Sequence, residues 1–173
     1  MMDLFAKEIA ISFGMPWQVL LFRLLGALLF TGLIGFEREV VRRPAGLRTH
    51  MLTGMASCVY CLVMLHLLES ASERGDQVRV DPIRVVEAVT QGVAFLAAGL
   101  IIYTRGKVRG LTTGASMWLA AAIGLACGLG LWFLATATTV LALIIIRVIK
   151  LGEKAAGTYT AGPEEDAEEQ SER

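Results

Sequence analysis

Charge is scarce in this sequence and favours neither sign. Asp, Glu, Lys and Arg make up only 18% of the 173 residues, with 16 basic side chains set against 16 acidic ones. Soluble domains carry nearer 25%. A chain without net charge offers no basic surface to nucleic acid, so nucleic acid is excluded as a partner. Cysteine is scarce as well. Cys58, Cys61 and Cys127 are the three copies, all within apolar runs, and they make no disulfide framework of the secreted kind. The opening MMDLFAKEIAISFG lacks a basic run ahead of an apolar stretch and a small-residue cleavage site, so it is not read as a removable signal peptide. Also missing are a GxxxxGK[ST] phosphate loop, a repeat of roughly 20–50 residues and any evident nucleophile–base arrangement. An enzyme is therefore not expected.

What the sequence has is apolar length. Hydrophobic residues reach 55% and the mean hydropathy is +0.60. About 20 apolar residues cross the ~30 Å of bilayer hydrocarbon. Runs of that kind occupy 17–36, 49–68 and 83–102, and a longer one fills 111–149. The last would extend nearly 60 Å as one helix. It divides at CGLGL (127–131), because glycine weakens a helix. The pieces are spans of about 112–127 and 130–149. The expected fold is an all-α bundle of about five transmembrane helices over 1–150, followed by an acidic tail, 151–173, without apolar periodicity and read as disordered. Residues 3–13 are expected to lie on the outer surface as a short interfacial helix.

Lysine and arginine orient these spans. Arg38, Arg42, Arg43 and Arg48 crowd the first connector, Arg105, Lys107 and Arg109 the third, and Arg147, Lys150 and Lys154 the end of the last span. The N-terminal segment has Lys7, the second connector Arg74 and Arg79, and the fourth none. Basic loops stay on the cytoplasmic side. The alternation predicts an outer N-terminus, a cytoplasmic C-terminus and a multi-pass membrane protein.

The first connector, FEREVVRRPAGLRTH (36–50), is then a cytoplasmic hairpin in which Pro44-Ala45-Gly46 supplies the reversal. Its plain reading is a basic anchor with a turn. Its sharper reading starts from Glu37 and Glu39, carboxylates among arginines that can form pairs or hold a cation or polar ligand.

Several stretches here resemble the MgtC/SapB family of bacterial inner-membrane proteins. They are GLIGFEREVVRRPAGLRTHML (32–52), Asp81-Pro82 with Arg84, GVAFLAAG (92–99) and VRGLTTGASMWLAAAIGLACGLG (108–130), in one order over most of residues 20–130. The resemblance implies a link to growth in low magnesium and to virulence or stress adaptation, without an established transport reaction. It maps the family pattern onto Glu37, Arg38, Glu39, Pro44, Ala45, Gly46, Leu47, Arg48, Thr49 and His50, and onto Gly110, Leu111, Thr112, Thr113, Ser116 and Trp118. The family's GIGFLGAG stands here with Ala94 and Ala97 in place of glycines. That keeps close packing but weakens the case for a backbone-lined polar path. Longer members carry a soluble C-terminal domain where this sequence has its acidic tail.

Two constellations are expected. One is a cytoplasmic cluster with Glu37 as shared acceptor for Arg48, Arg105 and Arg109, close to Thr112, Thr113 and Ser116. The other is an outer ion pair, Arg23 with Glu87, at matched depths in spans one and three. Cys58-Val-Tyr-Cys61 is read as buried packing, and the four-residue spacings Gly106-Gly110-Gly114 and Ala120-Gly124-Gly128 as helix contacts. Magnesium would need oxygen ligands. Glu37 and Glu39 lie at one membrane face, Asp81 and Glu87 at the other, with no carboxylate chain between. No resident cofactor is expected, and Mg²⁺ is the one ion considered. The expected function is a regulator or adaptor acting in magnesium homeostasis or stress adaptation, partnered within the bilayer by another membrane protein or by its own copies. The alternative is a subunit transporting magnesium or another ion, and a membrane enzyme is a distant third.

Overall fold

The computed structural model describes residues 15–73, 81–104 and 107–155. The interfacial segment expected at 3–13 and the tail beyond 155 lie outside them. The elements in order are α1 Trp17–Val40, α2 Leu47–Glu73, α3 Pro82–Leu100, β1 Ile102–Thr104, β2 Lys107–Arg109, α4 Leu111–Leu129 and α5 Trp132–Ala155. The five helices fall where the apolar runs place them. The two strands pair antiparallel, with Ile102 opposite Arg109, as a short ribbon between α3 and α4.

Local chemistry sets the ends. Asp81 accepts a hydrogen bond from the Ile83 amide at 3.0 Å, and Pro82 takes the first helical position of α3, where no amide is needed. α4 ends at Gly130, whose φ of 77° lies in the left-handed region. There the Leu131 amide donates to Ala126 O at 2.8 Å and the Gly130 amide to Cys127 O at 2.9 Å, a Schellman closure. The same closure ends α1, with Arg43 N bonded to Arg38 O and Arg42 N to Glu39 O. Here Arg42, not glycine, holds the left-handed position at φ 51°.

α4 is the centre of the bundle, packed against each of the other four helices. It is the most deeply buried of the four membrane-length helices, and α3 is the least. It supplies Ile123, Ala126 and Cys127 to one core cluster, with Ala27, Ile34, Cys58 and Leu62, and Met117 and Ala121 to a second, with Ala45, Val89 and Val93. All three cysteines are buried thiols of this packing. The small residues do as expected at Gly124, where a methyl group would strike the backbone of Gly54 on α2.

The distribution of side chains is that of a protein in lipid. On α1, Leu21, Leu25, Leu29 and Leu33 are exposed in a four-residue repeat, while Ala27 and Thr31 are fully buried. Water would penalise so continuous an apolar surface, whereas lipid tails accept it. The first four helices are long and apolar enough to cross a membrane; the apolar stretch of α5, Trp132–Val148, is shorter.

Candidate functional site

Polar chemistry collects at one end of the bundle, where α1 finishes and α2 and α4 begin. The turn after α1 sends the chain back so that Glu39 Oε2 accepts a hydrogen bond from the Leu47 amide at 2.9 Å. A carboxylate of one helix thus satisfies the first free amide of the next. Gly46 lies so close to that carboxylate that a side chain there would overlap Glu39 Oε2.

One turn into α2, His50 is fully buried. Its Nδ1 lies 2.8 Å from Gly46 O and its Nε2 3.0 Å from Ser116 Oγ on α4. A carbonyl can only accept, so the Nδ1 proton points at Gly46 and Nε2 of the neutral ring is an acceptor. Ser116 Oγ also lies 2.8 Å from Thr113 O. The single hydroxyl proton therefore serves either the imidazole or that carbonyl. A doubly protonated ring would let Nε2 donate to Ser116 and Ser116 donate to Thr113 together.

Glu37 and Arg38, in the last turn of α1, are 8% and 5% exposed. Arg38 Nη2 donates to Thr112 O at a long 3.5 Å. Glu37 Oε2 and Arg38 Nε are buried with no hydrogen-bond partner among the described residues. A buried acceptor and a buried donor on neighbouring residues, both unfilled, are costly in a packed interior.

The structure brings together only some of the residues of the expected cluster. Glu37, Arg38, Glu39, Gly46, His50, Thr113 and Ser116, with the carbonyl of Thr112, lie at one end. Arg48, Arg109, Pro44 and Trp118 are exposed, and Thr49 is half-buried. Arg48 does not turn back to Glu37, because it falls on the outward face of the first turn of α2 while His50 takes the inward one. Arg105 lies outside the described residues. Sequence reasoning missed the buried hydroxyls Thr31, Thr53 and Ser57. Each donates to the carbonyl four residues earlier, at 2.7, 2.8 and 2.9 Å. The spacing of His50, Thr53 and Ser57 on one helix face was the available signal.

The expected outer pair does not form. Arg23 Nη1 donates to Gly128 O of α4 at 2.6 Å, and Glu87 is exposed. Equal depth is not adjacency: α1 packs mainly on α2 and then on α4, α3 packs mainly on α4, and α1 and α3 barely meet. Among the described residues, no group of three or more His, Cys, Asp or Glu side chains is placed to hold a metal ion.

The model of the MgtC family matches residues 24–155. An uncharacterized protein of Haemophilus influenzae is 34% identical over 141 residues, covering 80% of this chain and 59% of its own length. YhiD of Escherichia coli K12, whose name proposes a magnesium transporter, is 37% identical over 126 residues, 73% of this chain and 58% of YhiD. SrpB of Synechococcus elongatus is 37% identical over 142 residues, 78% of this chain and 76% of SrpB. The chain thus spans less than two thirds of the first two relatives. No solved structure matches it. A family match across nearly the whole helical bundle, with relatives of this identity, places the chain in the MgtC family.

Proposed function

We propose that this chain is a regulator or adaptor of the bacterial inner membrane, acting in magnesium homeostasis or stress adaptation through the polar end of its bundle and a second membrane protein. The observation that carries the reading is the buried Glu37–Arg38 couple. A bare cation drawn to Glu37 is opposed by the guanidinium of Arg38, and a bare anion drawn to Arg38 is opposed by Glu37. What suits both is a neutral or zwitterionic polar group that donates to the carboxylate and accepts from Nε, as a polypeptide partner can. His50, Ser116 and Thr113 hold α2 and α4 in register around it, so the couple sits enclosed where three helices meet.

The name of the Escherichia coli relative favours a second reading, an ion-transporting subunit. Purified protein in liposomes separates the two. The regulator reading expects no magnesium or proton flux above that of empty vesicles, and sustained flux overturns it. The site itself is tested by Glu37→Gln, which keeps size and removes charge. It should abolish support of growth in low magnesium while leaving folded protein in the membrane. Arg42→Gln, which alters a nearby exposed charge, should leave growth intact. Equal effects would reduce the cluster to a topological anchor.

A further inference from the structure

The outward face of α3 carries side chains that a lipid-facing helix has no use for. Arg84, Glu87 and Gln91 are exposed, and among the described residues the side chains of all three lack an ion-pair or hydrogen-bond partner. Gln91 is the ninth residue after Pro82 in a helix of 19, which puts it ~13 Å from one end and close to mid-membrane. Glu87 lies ~7 Å in. An unpaired amide or carboxylate at such depths is expensive in hydrocarbon.

These residues share one stripe. Positions 84, 87, 91, 94 and 98 advance by three or four and fall on one helix face. All five are exposed, whereas Val89 and Val93, on the opposite face, are buried against α4. Beyond Gln91 the stripe continues as Ala94 and Ala98, side chains small enough for a second backbone to approach.

We propose that this face of α3 docks a second copy of the same chain, in a two-fold symmetric, parallel dimer within the membrane. The occupant follows from the order of charges. Two copies inserted alike lie parallel, and a two-fold interface brings residue i of one against residue j of the other and j against i. Arg84 and Glu87 are three residues apart, so each arginine meets the carboxylate of the other copy, and both ion pairs form together. One turn deeper, the Gln91 amides face each other across the axis. An amide carries both donor and acceptor, so it complements itself. Ala94 and Ala98 then close the crossing. A stripe reading cation, anion, amide, small, small is satisfied by its own copy without any further chemistry. This interface is separate from the Glu37 end and does not rest on the regulator reading.

The test uses the full chain in its native membranes. Single cysteines placed in turn at positions 84–98 are oxidised with copper phenanthroline. The native thiols, buried inside the bundle, should give no cross-link in the parent chain. Disulfide-linked dimers should peak at 84, 87, 91, 94 and 98 and vanish at 85, 89 and 93. Peaks elsewhere, no dimers, or adducts with a protein of different mass overturn the proposal. Energy transfer between labelled copies in vesicles supplies the second arm. Arg84→Glu opposes like charges and should weaken association by about tenfold or more, and adding Glu87→Arg should restore it by exchanging the partners. A double variant no better than the single one refutes the paired charges.

Discussion

Arg23 of α1 and Gly128 of α4 are joined by a 2.6 Å hydrogen bond from Nη1 to the carbonyl oxygen. The acceptor belongs to the last turn of α4, where carbonyls lack partners within the helix and the helix dipole is negative. The guanidinium therefore acts as a cationic cap supplied by a neighbouring helix. It also lies against Gly130, where a side chain would come within 3.0 Å of Arg23 Nη2.

Arg23→Leu should accordingly destabilise the bundle by about 1–2 kcal/mol, in the lower range for a charge-assisted hydrogen bond because the side chain is only half-buried. Arg23→Lys should recover part of the loss, since an ammonium keeps charge but not the planar fork. The double change of Arg23 and Glu87 to Leu should be additive within about 0.5 kcal/mol, as for independent sites. Unfolding in detergent, followed by circular dichroism, measures all of these. A strong coupling between 23 and 87 would reinstate the ion pair that equal depth suggests.

Much of the fold was legible because lipid imposes simple rules. Each helix needs a long apolar run, and a glycine at the right place ends one. The break near 127–131 was readable from CGLGL, and the structure sets it at Gly130 with a left-handed φ. The closure at Arg42 was not readable, because a non-glycine residue occupies the same conformation there. The site was half legible. The motif residues pointed to the end of the bundle where polar side chains collect, and to His50 and Ser116 among them. Which arginine is inward was not, since Arg38 and Arg48 both flank the turn and only the helix phase decides between them. Arg23 found a backbone carbonyl rather than a carboxylate, and carbonyl partners leave no trace in residue identity.

Two glycines of the bundle should respond oppositely to the same change. A methyl group at Gly124 would overlap the backbone of Gly54, which cannot yield as a flexible side chain would. Gly124→Ala should force α2 and α4 apart and cost about 3 kcal/mol or more, as other overpacked cores do at the upper end. At Gly92 of α3 a methyl group meets nothing within 4 Å. Gly92→Ala should leave the protein as stable or gain about 0.5–1 kcal/mol, because glycine costs a helix interior that much relative to alanine. Thermal melts of the two variants in one detergent decide it. Equal losses would mean that α2 and α4 do not cross at these backbones.

The way the helices distribute charge predicts an orientation. α1 ends, α2 begins and α4 begins at the polar end, as the His50–Ser116 and Arg38–Thr112 contacts require. Arg42, Arg43, Arg48 and Arg109 are exposed there. The far end, where α1 and α3 begin and α4 finishes, has Arg23 turned onto Gly128 and Arg84 at the start of α3. Among the described residues the basic excess therefore lies on one side, and the tendency of such an excess to stay cytoplasmic predicts that this end faces the cytoplasm. A cysteine replacing Arg43 should react with a membrane-impermeant maleimide only in inverted vesicles, and one replacing Gln18, exposed at the start of α1, only in intact spheroplasts. Removing Arg42, Arg43 and Arg48 together should let part of the population insert the other way round, visible as both cysteines labelling from both sides. If position 43 reacts from outside in the parent background, the bundle is inverted. Glu37 and His50 would then face the periplasm, and any partner of that end would have to be sought there.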